Sequence, residues 1–401
     1  MSRSLALIPL LALAAACSDA GQPLSPTGAP AAARSSTAPG DYIVVLKEGE
    51  NPRAVAALLG INPKRTYDAG LQGFAGTLTE GQLNALRRNP AVAYVEADAP
   101  AQLLTTQLFP VWGLDRINQR ALPLSSTYSY TSNGTGVIVY VLDTGIRKTH
   151  NQFAGSPASR AGYIANGFAG DFVGDGWGSA DDCHGHGTHV AGTVGGIGYG
   201  VAKNVQLRAG RVVDCMGNGS TSMVIDAMTW IYANGVKPAV VSMSLGYGNV
   251  QSVRDMVARL TYKGFVVVAA AGNGDFAGVP QDACLQAPAG APSAITVGAT
   301  TSTDKEATFS NYGPCVDILA PGVNVRSAWI GSDSASAYDN GTSMATPHVS
   351  GVAALYLQTH TTTTPAAVWS AISSIATTGA LSMHAASTSA GTPNRLLFTN
   401  Y

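Results

Sequence analysis

Charge is what this chain has least of. Acidic and basic side chains make up 12% of its 401 residues, about half the usual share, and nearly cancel to a net charge of −1. Without a basic excess there is no electrostatic footprint for a nucleic acid, so no nucleic-acid partner is expected. Long apolar runs are missing too: the longest, Leu5–Ala16, is too short to span a bilayer. What the chain has instead is 46 glycines and 21 prolines, which point to many tight, fixed turns. Its length suits two folded units, one with a core large enough to bury a catalytic site.

Residues 1–20 place Arg3 ahead of that apolar run and small residues after it, the order of a secretory signal peptide. A secreted, extracellular protein is therefore expected. Cys17, directly after Ala14–Ala16, leaves a second reading open, a lipoprotein signal with the thiol acylated, and only then would a membrane be a partner. Setting Cys17 aside leaves Cys183, Cys215, Cys284 and Cys315, an even number in an exported chain, which favours two disulfides. Of the three pairings, Cys183 with Cys215 and Cys284 with Cys315 is preferred. Each bond then closes a loop of about thirty residues, worth roughly 3 to 4 kcal/mol by chain entropy. No two of these cysteines have the short spacing of a zinc site.

Residues 21–40 are Pro, Ala, Gly, Ser and Thr with almost no charge and read as a linker. Order is expected from Asp41: strands at Tyr42–Lys47, Phe74–Leu78 and Ala93–Glu96, a helix at Pro52–Leu59, and a second through Arg88 opened by a Thr79–Gln82 capping box. This alternation suits a small α+β unit of ferredoxin-like type over residues 41–104. Ala99–Phe109 shows no periodicity and is expected to be a connector. Beyond it, the continuous apolar runs Val137–Leu142, Ala239–Met243 and Phe265–Ala271 read as buried parallel strands between helices. Residues 105–401 are therefore expected to form an α/β, doubly wound, mainly parallel sheet, with functional residues at the carboxyl ends of its strands.

Three segments of this domain stand out: Val141-Leu142-Asp143-Thr144-Gly145, His186-Gly187-Thr188-His189-Val190-Ala191-Gly192 and Gly341-Thr342-Ser343-Met344-Ala345-Thr346-Pro347. Together they supply an acid, an imidazole and a hydroxyl. Peptide hydrolysis needs a serine that loses its proton to an imidazole as it attacks, with a buried carboxylate to fix the ring. Asp143 ends an apolar strand, His186 opens a small-residue helical segment, and Ser343 precedes a helix expected to begin near Thr346-Pro347. Taken singly, Asp143 reads equally as a turn cap and Ser343 as an N-cap. His184 and His189 suggest a metal cluster, but the Glu of a zinc protease is absent. A fourth segment, Ala269-Ala270-Ala271-Gly272-Asn273-Gly274, ends a buried strand in an amide able to donate to developing negative charge, although Asn-Gly is also an ordinary turn signal.

Together these residues resemble the subtilisin-like serine proteases, and within them the proteinase K branch and its aqualysin-type bacterial enzymes. The resemblance implies a serine endopeptidase with Asp143, His186 and Ser343 as triad and Asn273 as oxyanion donor. Residues 41–104 would be its inhibitory propeptide, cut off after about Leu104, and the two disulfide pairs above are those of that branch. Protein and peptide substrates would lie as a strand between Gly217-Asn218-Gly219 and Ser244-Leu245-Gly246. The uncharged wall near Ala271 and Gly272 would favour cleavage after apolar or aromatic residues. A structural calcium would sit on Pro292, Ala294 and Asp317. A monomer is expected. The alternative from another class is a peptide-binding homologue without turnover, against which the complete triad and amide argue, and the lack of a Gly-x-Ser-x-Gly elbow argues against an α/β-hydrolase.

Overall fold

The computed structural model describes residues 40–98, 105–154, 161–165 and 170–401. The expected signal peptide with Cys17, nearly all of the linker, and Leu104 lie outside the described residues. Contacts between Cα atoms divide the chain into residues 1–101 and 102–401.

The first unit runs strand Gly40–Leu46, helix Pro52–Leu58, strands Arg65–Ala69 and Leu71–Leu78, helix Glu80–Arg87 and strand Val92–Ala97. Its sheet is antiparallel, in the order Arg65–Ala69, Leu71–Leu78, Gly40–Leu46, Val92–Ala97, the ferredoxin-like arrangement. The Thr79–Gln82 capping box is formed in both directions. Val44, Leu46, Phe74, Leu78 and Leu86 close the core. The strand Arg65–Ala69 went unread because it is a polar edge with no buried residue, leaving no apolar alternation to see.

The second unit is built on nine strands. Across the sheet they run Thr377–Thr378, Arg395–Leu396, Ile318–Pro321, Ile295–Thr300, Val266–Ala270, Ala239–Met243, Ile138–Asp143, Gln206–Arg211 and Ala161–Tyr163. All neighbours are parallel except the first pair. Alternate residues of the central strands serve opposite faces, as the two-residue period of a strand requires. Val139 and Val141 pack with Val190, Val194, Val349 and Val352 of helices His186–Gly195 and Thr342–Thr359. Tyr140 and Leu142 pack with Val224, Met228, Val253 and Val257 of helices Thr221–Asn234 and Gln251–Tyr262. The sheet is thus covered on both sides, which is why its strands are near-continuous apolar runs.

Two expectations are corrected. Thr105–Leu108, expected to be irregular, is a strand paired antiparallel with Thr127–Tyr130; it is mostly exposed and polar, so it carries no apolar pattern. The helix expected from Thr346-Pro347 begins at Thr342, so Pro347 lies inside it rather than in its first turn. A proline there leaves the carbonyl of residue 343 without its helical donor. The Ser244 hydroxyl fills that place, donating to the Ser343 carbonyl at 2.9 Å.

Two histidines of these helices are wholly buried, His189 and His348. A ring nitrogen of each faces a carbonyl at 2.9 Å, Val325 and Met344 respectively, and the other nitrogen has no partner. Burial pushes both down to about 4. The unfolded chain, with histidine near ~6.5, binds these protons first, so the stability from keeping both rings neutral is present above about pH 6.5 and lost as pH falls toward 4. The loss is on the order of 3 kcal/mol per ring. Urea midpoints measured across that window should fall steeply, and His348→Gln should remove about half of this component of the slope; an unchanged slope would show that His348 is not held neutral.

Candidate active site

The strand Ile138–Asp143 delivers a carboxylate to its carboxyl end, where the side chain of Asp143 is only 2% exposed. Its Oδ1 accepts from the Thr144 N–H and from His186 Nδ1, both at 2.7 Å. Burial alone would lower the His186 pKa, but Asp143, with the charges of Asp339 and Asp182 in support, outweighs it and holds the imidazole above the ordinary histidine value. With Nδ1–H on the carboxylate, Nε2 is the free end of the ring.

The loop before His186 explains how the ring is aimed. Asp182, buried, accepts from the N–H groups of His184 and Gly185 at 2.9 Å each, and from the N–H and hydroxyl of Thr188 at 2.8 and 2.6 Å. Thr144 joins this loop to the strand, donating to Asp182 Oδ1 and accepting from the Gly187 N–H, each at 2.9 Å. Gly185 stands at φ +114, a conformation side chains rarely adopt, with Trp329 packed against it.

Ser343 is in the first turn of the helix Thr342–Thr359, where backbone N–H groups have no helical partner. Its hydroxyl donates to the Ser244 carbonyl at 3.1 Å, while the Ser244 hydroxyl bonds the Ser343 carbonyl in return. In this state, then, the hydroxyl is held by Ser244 and the imidazole by Asp143. Asn273 lies just past the strand Val266–Ala270. Its Oδ1 accepts from the N–H and hydroxyl of Thr342 at 2.8 and 2.9 Å, which leaves Nδ2 as a donor next to the start of the serine's helix. Asn311 pins the turn around it, accepting from the N–H groups of Gly274 and Gln281 and donating to the Ala271 carbonyl.

A cleft of about 520 Å³ opens here. Asp143, His184, His186, Gly217-Asn218-Gly219 and Ser244-Leu245-Gly246 line it, together with Thr144, Val213 and Tyr247. Ala271 is fully buried and the Gly272 N–H donates to Thr342 Oγ1 at 3.1 Å, so these two frame the amide rather than line the cleft. The structure pairs Cys183 with Cys215 and Cys284 with Cys315. The first of these bonds ties the His186 loop to the segment running into Gly217.

Pro292, Ala294 and Asp317 meet on a separate cavity of about 240 Å³. Asp317 Oδ2 accepts from the Thr296 N–H at 2.8 Å, yet burial pushes the carboxyl up to about 6. A half-buried carboxylate that makes no ion pair among the described residues, with Arg395 bonded at 2.9 Å to its backbone carbonyl and only partly offsetting the burial, fits a hard cation beside residues that offer carbonyl oxygens. Among the described residues no three His, Cys, Asp or Glu side chains gather as a metal cluster, and no helix is long and apolar enough to cross a membrane.

Asp182, Thr342 and Asn311 were not singled out in the sequence. Asp182 had a readable signal, an acidic residue just ahead of a glycine-interrupted helix start. Asn311 had none, since it reaches the site only through the fold.

Residues 134–396 match the model of the Subtilase family, and residues 60–104 that of Peptidase inhibitor I9. An extracellular serine proteinase of Thermus sp. (strain Rt41A) is 45% identical over 390 residues, 90% of each chain. Proteinase R of Parengyodontium album is 39% identical over 369 residues, 90% of this chain and 89% of that one. Among solved structures, a cold adapted subtilisin-like serine proteinase is 43% identical and superposes with a TM-score of 0.65, covering 73% of this chain and 99% of that one.

The account of the imidazole is open to direct titration. NMR of His186 should place its pKa above ~6.5, and Asp143→Asn should drop it below that value, because burial is then unopposed. A pKa indifferent to Asp143→Asn would mean the carboxylate does not hold the ring.

Proposed function

Because the chain belongs to the subtilase family, a subtilisin-like serine endopeptidase with a propeptide inhibitor domain, we propose that Ser343 is its nucleophile, His186 its general base and Asp143 the group that orients the ring and stabilises the positive charge it takes up during attack. The observation that supports this most is the 2.7 Å bond from His186 Nδ1 to buried Asp143 beside a cleft lined by both residues. The Ser343 hydroxyl attacks the substrate carbonyl carbon and its proton passes to His186 Nε2. The carbonyl oxygen gains the negative charge, and Asn273 Nδ2 and the Ser343 N–H donate to it. His186 then protonates the departing amine, and water, deprotonated by the same ring, releases the acyl group.

Substrate geometry bears on the starting state. A strand laid between Gly217–Gly219 and Ser244–Gly246 needs backbone acceptors, and the Ser244 carbonyl is one of them. A substrate N–H taking that carbonyl displaces the Ser343 hydroxyl, which is then free to turn to His186. Backbone pairing tolerates many sequences, so selection is broad, and with no charged side chain at Ala271 or Gly272 beside Asn273, apolar or aromatic residues are favoured on the acyl side. The enzyme is secreted, with residues 41–104 as its intramolecular inhibitor and the cut near Leu104. A lipid tether through Cys17 would be the one membrane association.

Calcium is proposed as a structural ion on Asp317 and the carbonyls of Pro292 and Ala294. When bound there it would supply positive charge that offsets the partial burial of the Asp317 carboxylate.

Ser343→Ala should lower peptide hydrolysis by about 10⁶-fold, the scale on which a subtilisin-type triad loses its nucleophile, and should leave the chain uncleaved near Leu104. Mass spectrometry of the secreted variant reports both; maturation of the variant alone would rule out self-processing. Calcium at about 100 times its Kd should stabilise by about 2.7 kcal/mol, roughly 5 °C in melting temperature, and Asp317→Asn should abolish the gain. A gain that survives Asp317→Asn would place the ion elsewhere.

A further inference from the structure

The chain carries six Asn-Gly pairs, and one of them, Asn218-Gly219, lines the cleft. Asparagine is a thermolabile residue, most of all ahead of glycine, which has no Cβ to shield its nitrogen from the asparagine's side-chain carbon. Whether the two react depends on what holds them. At Asn133 the Gly134 N–H donates to Gln358 Oε1 at 2.8 Å, and the amide oxygen accepts from Thr135. At Asn234 the Gly235 N–H donates to the Ile231 carbonyl at 2.8 Å, and the amide donates to the Trp230 carbonyl. At Asn273 the Gly274 N–H is on Asn311 Oδ1 at 2.9 Å and the amide oxygen accepts from Thr342. At Asn340 the Gly341 N–H is on the Gly322 carbonyl and the amide oxygen accepts from the Asn324 N–H, both at 2.8 Å. Asn166-Gly167 lies outside the described residues. Asn218 differs from these four. Among the described residues its Gly219 N–H has no acceptor and its amide oxygen has no donor. The exposed amide makes one long contact, Nδ2 to Asp214 Oδ2 at 3.4 Å. Asp214 holds the Asn218 backbone instead, accepting from its N–H at 2.8 Å and donating to its carbonyl at 2.7 Å, so the loop keeps its shape while the two reacting groups stay free.

We propose that Asn218 is a site of spontaneous modification, deamidating through a cyclic imide with Gly219, and that the product disables the edge on which substrate pairs. The loss of activity rests on the endopeptidase reading given above; the modification itself does not. The Gly219 nitrogen gives up its proton to water and bonds to Asn218 Cγ. The bond from Cγ to Nδ2 breaks, and ammonia leaves with a proton returned by water. A second water then opens the imide at either carbonyl. Opening at the side-chain carbonyl gives aspartate, with the main chain intact and a carboxylate added beside Asp214. Opening at the main-chain carbonyl gives isoaspartate, in which the chain runs through the former side chain and gains one methylene. That insertion shifts the backbone groups of Gly219 relative to those of Gly217, and a substrate strand paired with this edge loses its register. The other four pairs are protected by the contacts that build the fold, and at Asn273 the contacts that aim the amide also keep it from cyclising.

The test ages the mature enzyme in warm, mildly alkaline buffer, with one portion first blocked by a fluorophosphonate so that self-digestion cannot occur. Peptide mapping of the blocked portion by mass spectrometry follows each Asn-Gly pair. Two hydrogen bonds to break before attack predict conversion at Asn133, Asn234, Asn273 and Asn340 about thirty-fold slower than at Asn218. In the unblocked portion, kcat/KM is expressed per active site counted with the same reagent, which separates modified enzyme from digested enzyme. It should fall in step with the isoaspartate fraction, the isoaspartate form retaining about a tenth for the loss of one to two backbone hydrogen bonds. Asn218→Gln, whose amide lies one methylene further out and cyclises far more slowly, should hold its own starting value over the same period. Conversion of Asn218 no faster than at the other four would overturn the proposal. So would a constant kcat/KM per site while isoaspartate accumulates, or an equal decline in Asn218→Gln, with the endopeptidase reading left in place. No peptide cleavage in fresh enzyme would overturn that reading and with it the predicted loss of activity, while the mass readout at Asn218 would still stand.

Discussion

A carboxylate buried at the end of a central parallel strand is expensive to desolvate, and it persists only where hydrogen bonds and an opposite charge offset that cost. Asp143 is such a group. One of its oxygens takes two N–H donors at 2.7 Å and the other is buried with no partner, so the charge depends on Thr144 and His186. Its backbone carbonyl is held in turn by the N–H groups of Val212 and Val213, at 2.9 and 3.3 Å. The His186 loop can be understood as the means of delivering one imidazole to this oxygen. Asp182 gathers five donors, one of them the Thr144 hydroxyl that links loop to strand, and glycines at 185 and 187 allow the close approach.

The serine side of the cleft follows a second constraint. Pro347 removes one helical hydrogen bond from the first turns of its helix, and the vacancy is taken by Ser244, a residue at the end of the strand Ala239–Met243. Helix and substrate wall are thereby joined by two reciprocal bonds between the same pair of serines. In the proposed mechanism, a substrate that takes the Ser244 carbonyl would release the Ser343 hydroxyl through this pair of bonds. Thr342 holds the oxygen of Asn273 with its N–H and hydroxyl, which leaves the nitrogen as the free donor of that amide.

Legibility followed apolar pattern. The buried runs ending at Leu142, Met243 and Ala271 were read within one residue of the strands found, and they are neighbours in the sheet. The capping box at Thr79 was equally plain, because it is a local hydrogen-bond device written in two residues. Polar strands such as Arg65–Ala69 and Thr105–Leu108 left no trace, since their pairing is made by backbone groups common to every residue. The start of the Ser343 helix was misplaced for a related reason: proline favours a first turn, and only a contact from 99 residues away, Ser244, makes it tolerable deeper in. The chemistry-bearing residues were visible as segments, while their supports, Asp182, Thr342 and Asn311, emerge only when distant loops are brought together.

The most direct measurement is reaction of the secreted, processed protein with a fluorophosphonate, followed by mass spectrometry of the digested adduct. An activated hydroxyl at residue 343 predicts a single adduct on the peptide that contains Ser343, formed as peptide cleavage is lost. An adduct on another residue, or full inhibition with Ser343 unmodified, would contradict the assignment of the nucleophile and with it the account of the site.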